Sequence, residues 1–193
     1  MPDVVMESPL AGIVRLGQRV LTVDGQSCTL AEIPFVEMLN VRGNPGDARF
    51  TQAVLAATGL ALPTQPNTAS MGQLRQLLWL GPDEWLLKLR DGQGDPMESA
   101  LRAALQGQHC SLVQVGSGNT TLTVQGPAAA DLLSRGCPLD LHPRVFAAGA
   151  LAQTHIAKAG ATVLCVQAGT SFELTVRRSF ADYLFRWLCE AGQ

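Results

Sequence analysis

Side chains able to do nucleophilic or metal chemistry are few and scattered in this sequence. The three histidines are His109, His142 and His155. A serine or cysteine nucleophile needs a base beside it, yet none of the three falls in a recognisable nucleophile motif and no Gly-x-Ser-x-Gly occurs. His109 and Cys110 are the only adjacent pair. Neighbours along an extended strand point to opposite faces, so the pair does not read as a catalytic couple. Five cysteines, at 28, 110, 137, 165 and 189, form no Cys-x-x-Cys. Their odd number and wide spacing argue against a disulfide framework or a zinc cluster, and leave buried, reduced thiols.

Two glycine-containing stretches could cradle a phosphate. "VGSGN" (115–119) lies between two strand-like runs with no helix after it, so it reads as a hairpin turn. "VRGNPGD" (41–47) does precede a helix, and its amides together with Arg42 could hold an anion. It lacks the Lys-Ser/Thr of a P-loop and the glycine spacing of a dinucleotide fold, which favours a plain strand-to-helix connection. A third stretch, "LWLGPDEWLL" (78–87), places Asp83 and Glu84 between Trp79 and Trp85. No histidine, cysteine or further carboxylate is near enough in sequence to complete a metal site. Pro82 and Asp83 are good turn formers. The tryptophans are an even number of residues apart and can share one face of a hairpin as packing aromatics.

The elements that must hold these residues recur in one pattern: two extended segments, then a capped helix. "SCTLAEIPFVEMLNVRG" precedes a helix through "ARFTQAVLAAT", with Asp47 as its cap and Gly59 as its stop. "LLWLGPDEWLLKL" precedes "PMESALRAAL", where Asp95, Pro96 and Glu98 have the spacing of a capping box. "CSLVQVGSGNTTLTVQG" precedes "PAAADLLSR", opened by Pro127 and closed by Gly136. Three strand-like runs, "LAQTHIA", "ATVLCVQ" and "SFELTV", precede "FADYLFRWLCEAG". There Ser179 and Asp182 suggest a further capping box, and Phe180, Tyr183, Leu184, Trp187 and Leu188 recur at one-face helical spacing. Hairpins alternating with amphipathic helices exclude an all-parallel sheet. They predict an α+β fold of antiparallel sheets with packed helices, as two pseudo-symmetric ferredoxin-like halves, 1–105 and 106–193, in one compact subunit of 193 residues.

Composition narrows the function classes. A net charge of -2 gives no electrostatic case for nucleic acid or an anionic membrane. "MPDVVMESPLAG" has neither a basic start nor an apolar signal core, and the longest apolar run, "VFAAGALA", is too short to cross a bilayer. A cytoplasmic protein is the expectation. Charged residues make up only 16%, against about 25% in an ordinary domain. Twelve basic residues are Arg and two, Lys88 and Lys158, are Lys. Surfaces that meet other proteins are poor in Lys and Glu and rich in Arg and aromatics, although a GC-rich genome produces the same bias.

Five segments taken together resemble a known family. "FVEMLNVRGNP", "LPTQPNTA", "LWLGPDEWLL", "TLTVQGPAAADLLSRGCPLDLHPRVF" and "FELTVRRSFADYLFRWL" resemble, in order, the gamma subunit of heterotetrameric sarcosine oxidase, from about Ser8 to Glu190. "LTVQGPAAADLLSRGCPLDL" also has the strand-Gly-Pro-helix pattern of aminomethyltransferase-like domains. The resemblance implies a four-subunit flavoenzyme that oxidatively demethylates sarcosine to glycine. It places FAD, covalently linked FMN, NAD and the tetrahydrofolate site on the alpha and beta subunits, and zinc on the delta subunit. No catalytic, cofactor-binding or metal residue transfers to this chain. Its expected role is a non-catalytic subunit, with Arg42, Trp79, Trp85 and Trp187 as candidate partner-interface or packing anchors.

Two other classes stay open at this stage. A folate-dependent aminomethyltransferase acting alone would need an acid for the pterin, and Asp140 at the end of "GCPLDL" is the best placed, unless it is simply a loop cap. A ligand-binding module would use the cleft between the two halves, where such sites are common.

Overall fold

The computed structural model describes residues 6–12 and 18–193. Residues 1–5, part of the stretch expected to carry no signal segment, lie outside them. The chain runs β1 (Gln18–Val23), β2 (Gln26–Ile33), β3 (Glu37–Arg42), α1 (Ala48–Thr58), β4 (Ala69–Met71), β5 (Arg75–Gly81), β6 (Glu84–Leu89), α2 (Gly94–Ala104) and β7 (Ser111–Gln114). It continues through β8 (Asn119–Gln125), α3 (Ala129–Ser134), β9 (Leu151–Ile156), β10 (Ala159–Gln167), β11 (Ser171–Arg177) and α4 (Ala181–Ala191). The strands form two fully antiparallel sheets, ordered β4-β5-β6-β3-β7 and β1-β2-β8-β11-β10-β9.

Strand alternation stacks these sheets. Along β6, Trp85, Leu87 and Leu89 point to α1 and α2, where they meet Phe50, Val54, Met97 and Leu101. Leu86, between them, faces the other sheet with Met38 and Leu78, against Leu151 and Leu164. On β11, Phe172, Leu174 and Val176 point to α3 and α4, meeting Leu132, Leu184, Phe185 and Leu188. Helices therefore cover the outer face of each sheet while the inner faces pack on each other, a four-layer α+β sandwich.

Each sheet with its helices is one ferredoxin-like unit. In the first, β3-α1-β5-β6-α2-β7 gives the order β5-β6-β3-β7. The second repeats it from β8: β10-β11-β8 occupy the places of β5-β6-β3, and β9 flanks β10 as β4 flanks β5. Its closing strand comes from the chain's start, β2, which pairs with β8. This corrects the division expected at residue 105. The first unit keeps its last strand, β7, after α2, and the sheets part company at residues 115–118. It also corrects the reading of "VGSGN". That segment is a 3-10 turn that carries the chain from one sheet to the other, since β7 and β8 belong to different sheets. Similarly, β2 and β3 are not a hairpin.

Helix starts show where local signals gave way to tertiary ones. Asp47 caps α1 as expected, accepting from Arg49 N at 2.8 Å, and Gly59 closes it at φ 74. The capping box expected at Asp95 is absent. Glu37 of β3 reaches across to accept from Gly94 N at 2.9 Å, while Asp95 and Glu98 both accept from the Gln114 amide at 2.7 Å. At α4 the box expected from Ser179 is replaced by a 3-10 turn over Arg178–Phe180, and Asp182 pairs with Arg186 at 2.5 Å. The face α4 buries is Ala181, Leu184, Phe185 and Leu188. Phe180 and Tyr183, expected on it, are partly exposed, at 42% and 37%, with ring centroids 6.5 Å apart.

Candidate functional site

The acidic turn of "LWLGPDEWLL" is structural. β5 and β6 form the expected hairpin, and Trp79 stands directly opposite Trp85. Asp83 pairs with Arg42 at 3.0 Å and Glu84 accepts from the Asn40 amide at 2.7 Å, so both carboxylates tie the turn to β3. Trp85 is fully buried, 5.8 Å from the Phe50 ring, and donates from Nε1 to Pro63 O at 2.8 Å. Trp79 is half-buried, and Arg42 is exposed. Trp187 is half-buried on α4 and lies so close to Gly136 that a Cβ there would sit 2.4 Å from its ring. Arg42, Trp79 and Trp85 thus neighbour one another on β3 and the β5–β6 hairpin, whereas Trp187 stands apart on α4, so the four anchors do not gather into one site.

Residues weighed for catalysis or ligand binding are equally dispersed. His109, His142 and His155 are all exposed, on separate segments. Asp140 is an exposed loop cap, accepting from His142 N at 2.9 Å. In "VRGNPGD", Gly46 N is bonded to Asn44 Oδ1, Asp47 N to Asn44 O and Gly43 N to Asp83 O, so these amides serve the connection itself. Cys28, Cys137 and Cys165 are buried, whereas Cys110 and Cys189 are only partly so, and all five are free thiols. Burial pushes the thiols of Cys28 and Cys165 up, away from the reactive thiolate. Among the described residues no group of three or more His, Cys, Asp or Glu side chains could hold a metal ion.

What sequence reasoning missed is an ion cluster between the two sheets. Lys88 of β6, 1% exposed, meets Glu173 of β11 at 2.7 Å. Arg90 reaches the other carboxylate oxygen at 2.5 Å and the Gln76 amide donates to that same oxygen at 2.9 Å. Burial alone would raise the Glu173 carboxyl, but the charge and hydrogen bond of Lys88, with the bond from Arg90, hold it at about 2. Burial pulls the Lys88 ammonium below its ordinary value, against the opposing pull of Glu173. A signal is present in the sequence: Lys88 in "EWLLKL" and Glu173 in "SFELTV" each put a charge inside a strand run of mostly apolar residues.

The surface offers two openings along the seam between sheets. One, about 600 Å³, is polar and lined by Asn40, Glu84, Gln153, Thr162, Thr175 and Arg177. The other, about 550 Å³, lies where the chain passes between sheets, beside Phe35, Val36, Gly116 and Ser117.

Two ferredoxin-like units stacked sheet on sheet define the class. The fold is that of the glycine cleavage system aminomethyltransferase T from Bartonella henselae, with a TM-score of 0.64 and 16% identity over 93% of this chain and 56% of that one. Within that fold class the chain belongs to the sarcosine oxidase gamma subunit family, whose sequence model matches residues 42–193. It is 31% identical over 191 residues to the sarcosine oxidase subunit gamma of Corynebacterium sp. (strain U-96), covering 95% of this chain and 88% of that one. To the Arthrobacter sp. subunit gamma it is 35% identical over 164 residues, 84% and 78% of the two chains. A chain of the solved heterotetrameric sarcosine oxidase from Corynebacterium sp. U-96, in complex with pyrrole 2-carboxylate, matches with a TM-score of 0.86 and 29% identity, over 96% of this chain and 94% of that chain. Among the described residues no helix is long and apolar enough to cross a membrane.

Proposed function

We propose that this chain is the gamma subunit of a heterotetrameric sarcosine oxidase working in the cytoplasm, and that it makes and breaks no bonds itself. In this reading it stabilises alpha, beta and delta subunits, which carry the flavins, NAD, tetrahydrofolate and zinc and oxidise sarcosine to glycine. The observation that carries the proposal is the near end-to-end match, 96% and 94% of the two chains, to a chain of a solved heterotetrameric oxidase. The low charge and the Arg-over-Lys bias favour a surface meant for other proteins.

A tagged pull-down from the native organism tests it. Yellow, flavin-bearing chains of unequal size are expected to come down with the tagged chain. A chain that stays alone and turns over a one-carbon donor unaided would overturn the proposal.

A further inference from the structure

The two passages between the sheets meet at one place on the surface. In the first, Phe35 follows Pro34 in a turn and has φ 56, with 51% of its surface exposed. Glycine or asparagine ordinarily takes such a position. A bulky residue in the left-handed region persists only where its surroundings hold it there. Here they do. Val115 N donates to Met38 O at 2.8 Å, and Gly116 packs so tightly that a Cβ would lie 3.2 Å from Val36 O and Met38 N. The backbone beside Phe35 is therefore braced, and about half of the residue, 51%, is exposed.

Beside it is the opening of about 550 Å³, floored by Val36, Met38 and Leu39. Met6, 67% exposed, stands on its lip. The rim carries three carboxylates, Glu7, Glu37 and Asp95, against one guanidinium, Arg178. An apolar hollow under an acidic rim, with a half-exposed aromatic at its edge, suits a protein partner of opposite charge. A backbone already held in place has less to order on binding, and aromatics are frequent interface anchors.

We propose that this face docks another subunit of the oxidase through a segment that puts an apolar side chain into the hollow and an Arg or Lys on the acidic rim, with Phe35 as the anchor. This rests on the chain being an oxidase subunit, and the test separates the two claims. The tagged chain is co-expressed with the other subunits as wild type, Phe35→Gly and Asp95→Lys, and subunit dissociation is measured at low and moderate salt. Glycine suits the backbone at 35, so that variant keeps its fold, which a thermal melt checks; Asp95→Lys, at an exposed position, decides the matter if it does not. Both variants are expected to weaken subunit capture, Phe35→Gly by roughly tenfold or more. Asp95→Lys should also weaken the salt dependence of association. If the wild type captures no oxidase subunit, both claims fall. If the wild type captures them and the variants do so equally well, the docking face is wrong while the subunit assignment stands. If the variants alter only self-association, the occupant is a second copy and the proposal is overturned.

Discussion

Replacing Glu173 by Gln tests whether the buried cluster holds the two sheets together. The change keeps size and shape but removes the charge facing Lys88 at 2.7 Å and Arg90 at 2.5 Å. At an effective dielectric of about 20, a pair at the Lys88 distance is worth about 6 kcal/mol before desolvation is counted. Much of that offsets the burial of the two charges. Removing one partner, however, leaves the other buried and uncompensated, which costs about 3–5 kcal/mol. Arg90, 27% exposed, can turn to water; Lys88, 1% exposed, cannot. For a chain of this size each kcal/mol moves the melting temperature by about 2–4 °C, so a fall of about 6–20 °C is expected. Urea unfolding at pH 7 provides the free energy directly. The double variant Lys88→Met/Glu173→Leu should recover a large part of the loss, because no lone charge stays buried. If Glu173→Gln unfolds within about 1 kcal/mol of wild type, or the double variant is less stable than the single, the reasoning fails.

The same carboxyl sets a pH dependence. It is held at about 2 against an ordinary 4.5, so its contribution is complete above the unfolded value and lost as pH falls from about 5 toward 2. Acid titration of unfolding should show this slope in wild type and lack it in Glu173→Gln. Trp85→Phe removes the Nε1 donor and leaves the buried Pro63 carbonyl unpaired, an expected loss of about 1–3 kcal/mol by chemical unfolding. Gly136→Ala would drive a methyl into the Trp187 ring, with an expected loss of about 1–3 kcal/mol and a shift in tryptophan emission. Asp83→Ala, by contrast, breaks only an exposed pair with Arg42 and should cost less than about 1 kcal/mol, which the same unfolding assay checks.

Much of the architecture was legible because it rests on local rules. The Trp79–Trp85 hairpin follows from Pro82 and Asp83, and α1 from Asp47 and Gly59, since turns and caps involve residues a few positions apart. The α+β class follows from strand runs alternating with amphipathic helices. What sequence could not resolve depends on distant partners. Two consecutive strands look alike whether they pair or part, so β2–β3 and β7–β8 read as hairpins although each pair divides between sheets. Asp95 lost its capping role to Glu37, 58 positions earlier, through no signal in its own neighbourhood. Lys88 and Glu173 each carry a local sign, a charge inside an apolar strand, but their meeting across the seam is set by the stacking of sheets.

The second unit borrows its closing strand from the opening of the chain, and this orders events during synthesis. Residues 37–114 contain every strand and helix of the first unit and can collapse as soon as they leave the ribosome. The hairpin of β1 and β2 emerges earlier still, yet its partner β8 begins only at Asn119, and α4, followed by Gly192 whose carbonyl receives Thr22 N, is made later again. Until β8 is made that hairpin waits with an open edge, the kind of strand that nascent chains mispair. Damage to the β1–β2 hairpin or to α4 therefore strikes the same sheet, although the two are separated by the whole of the first unit.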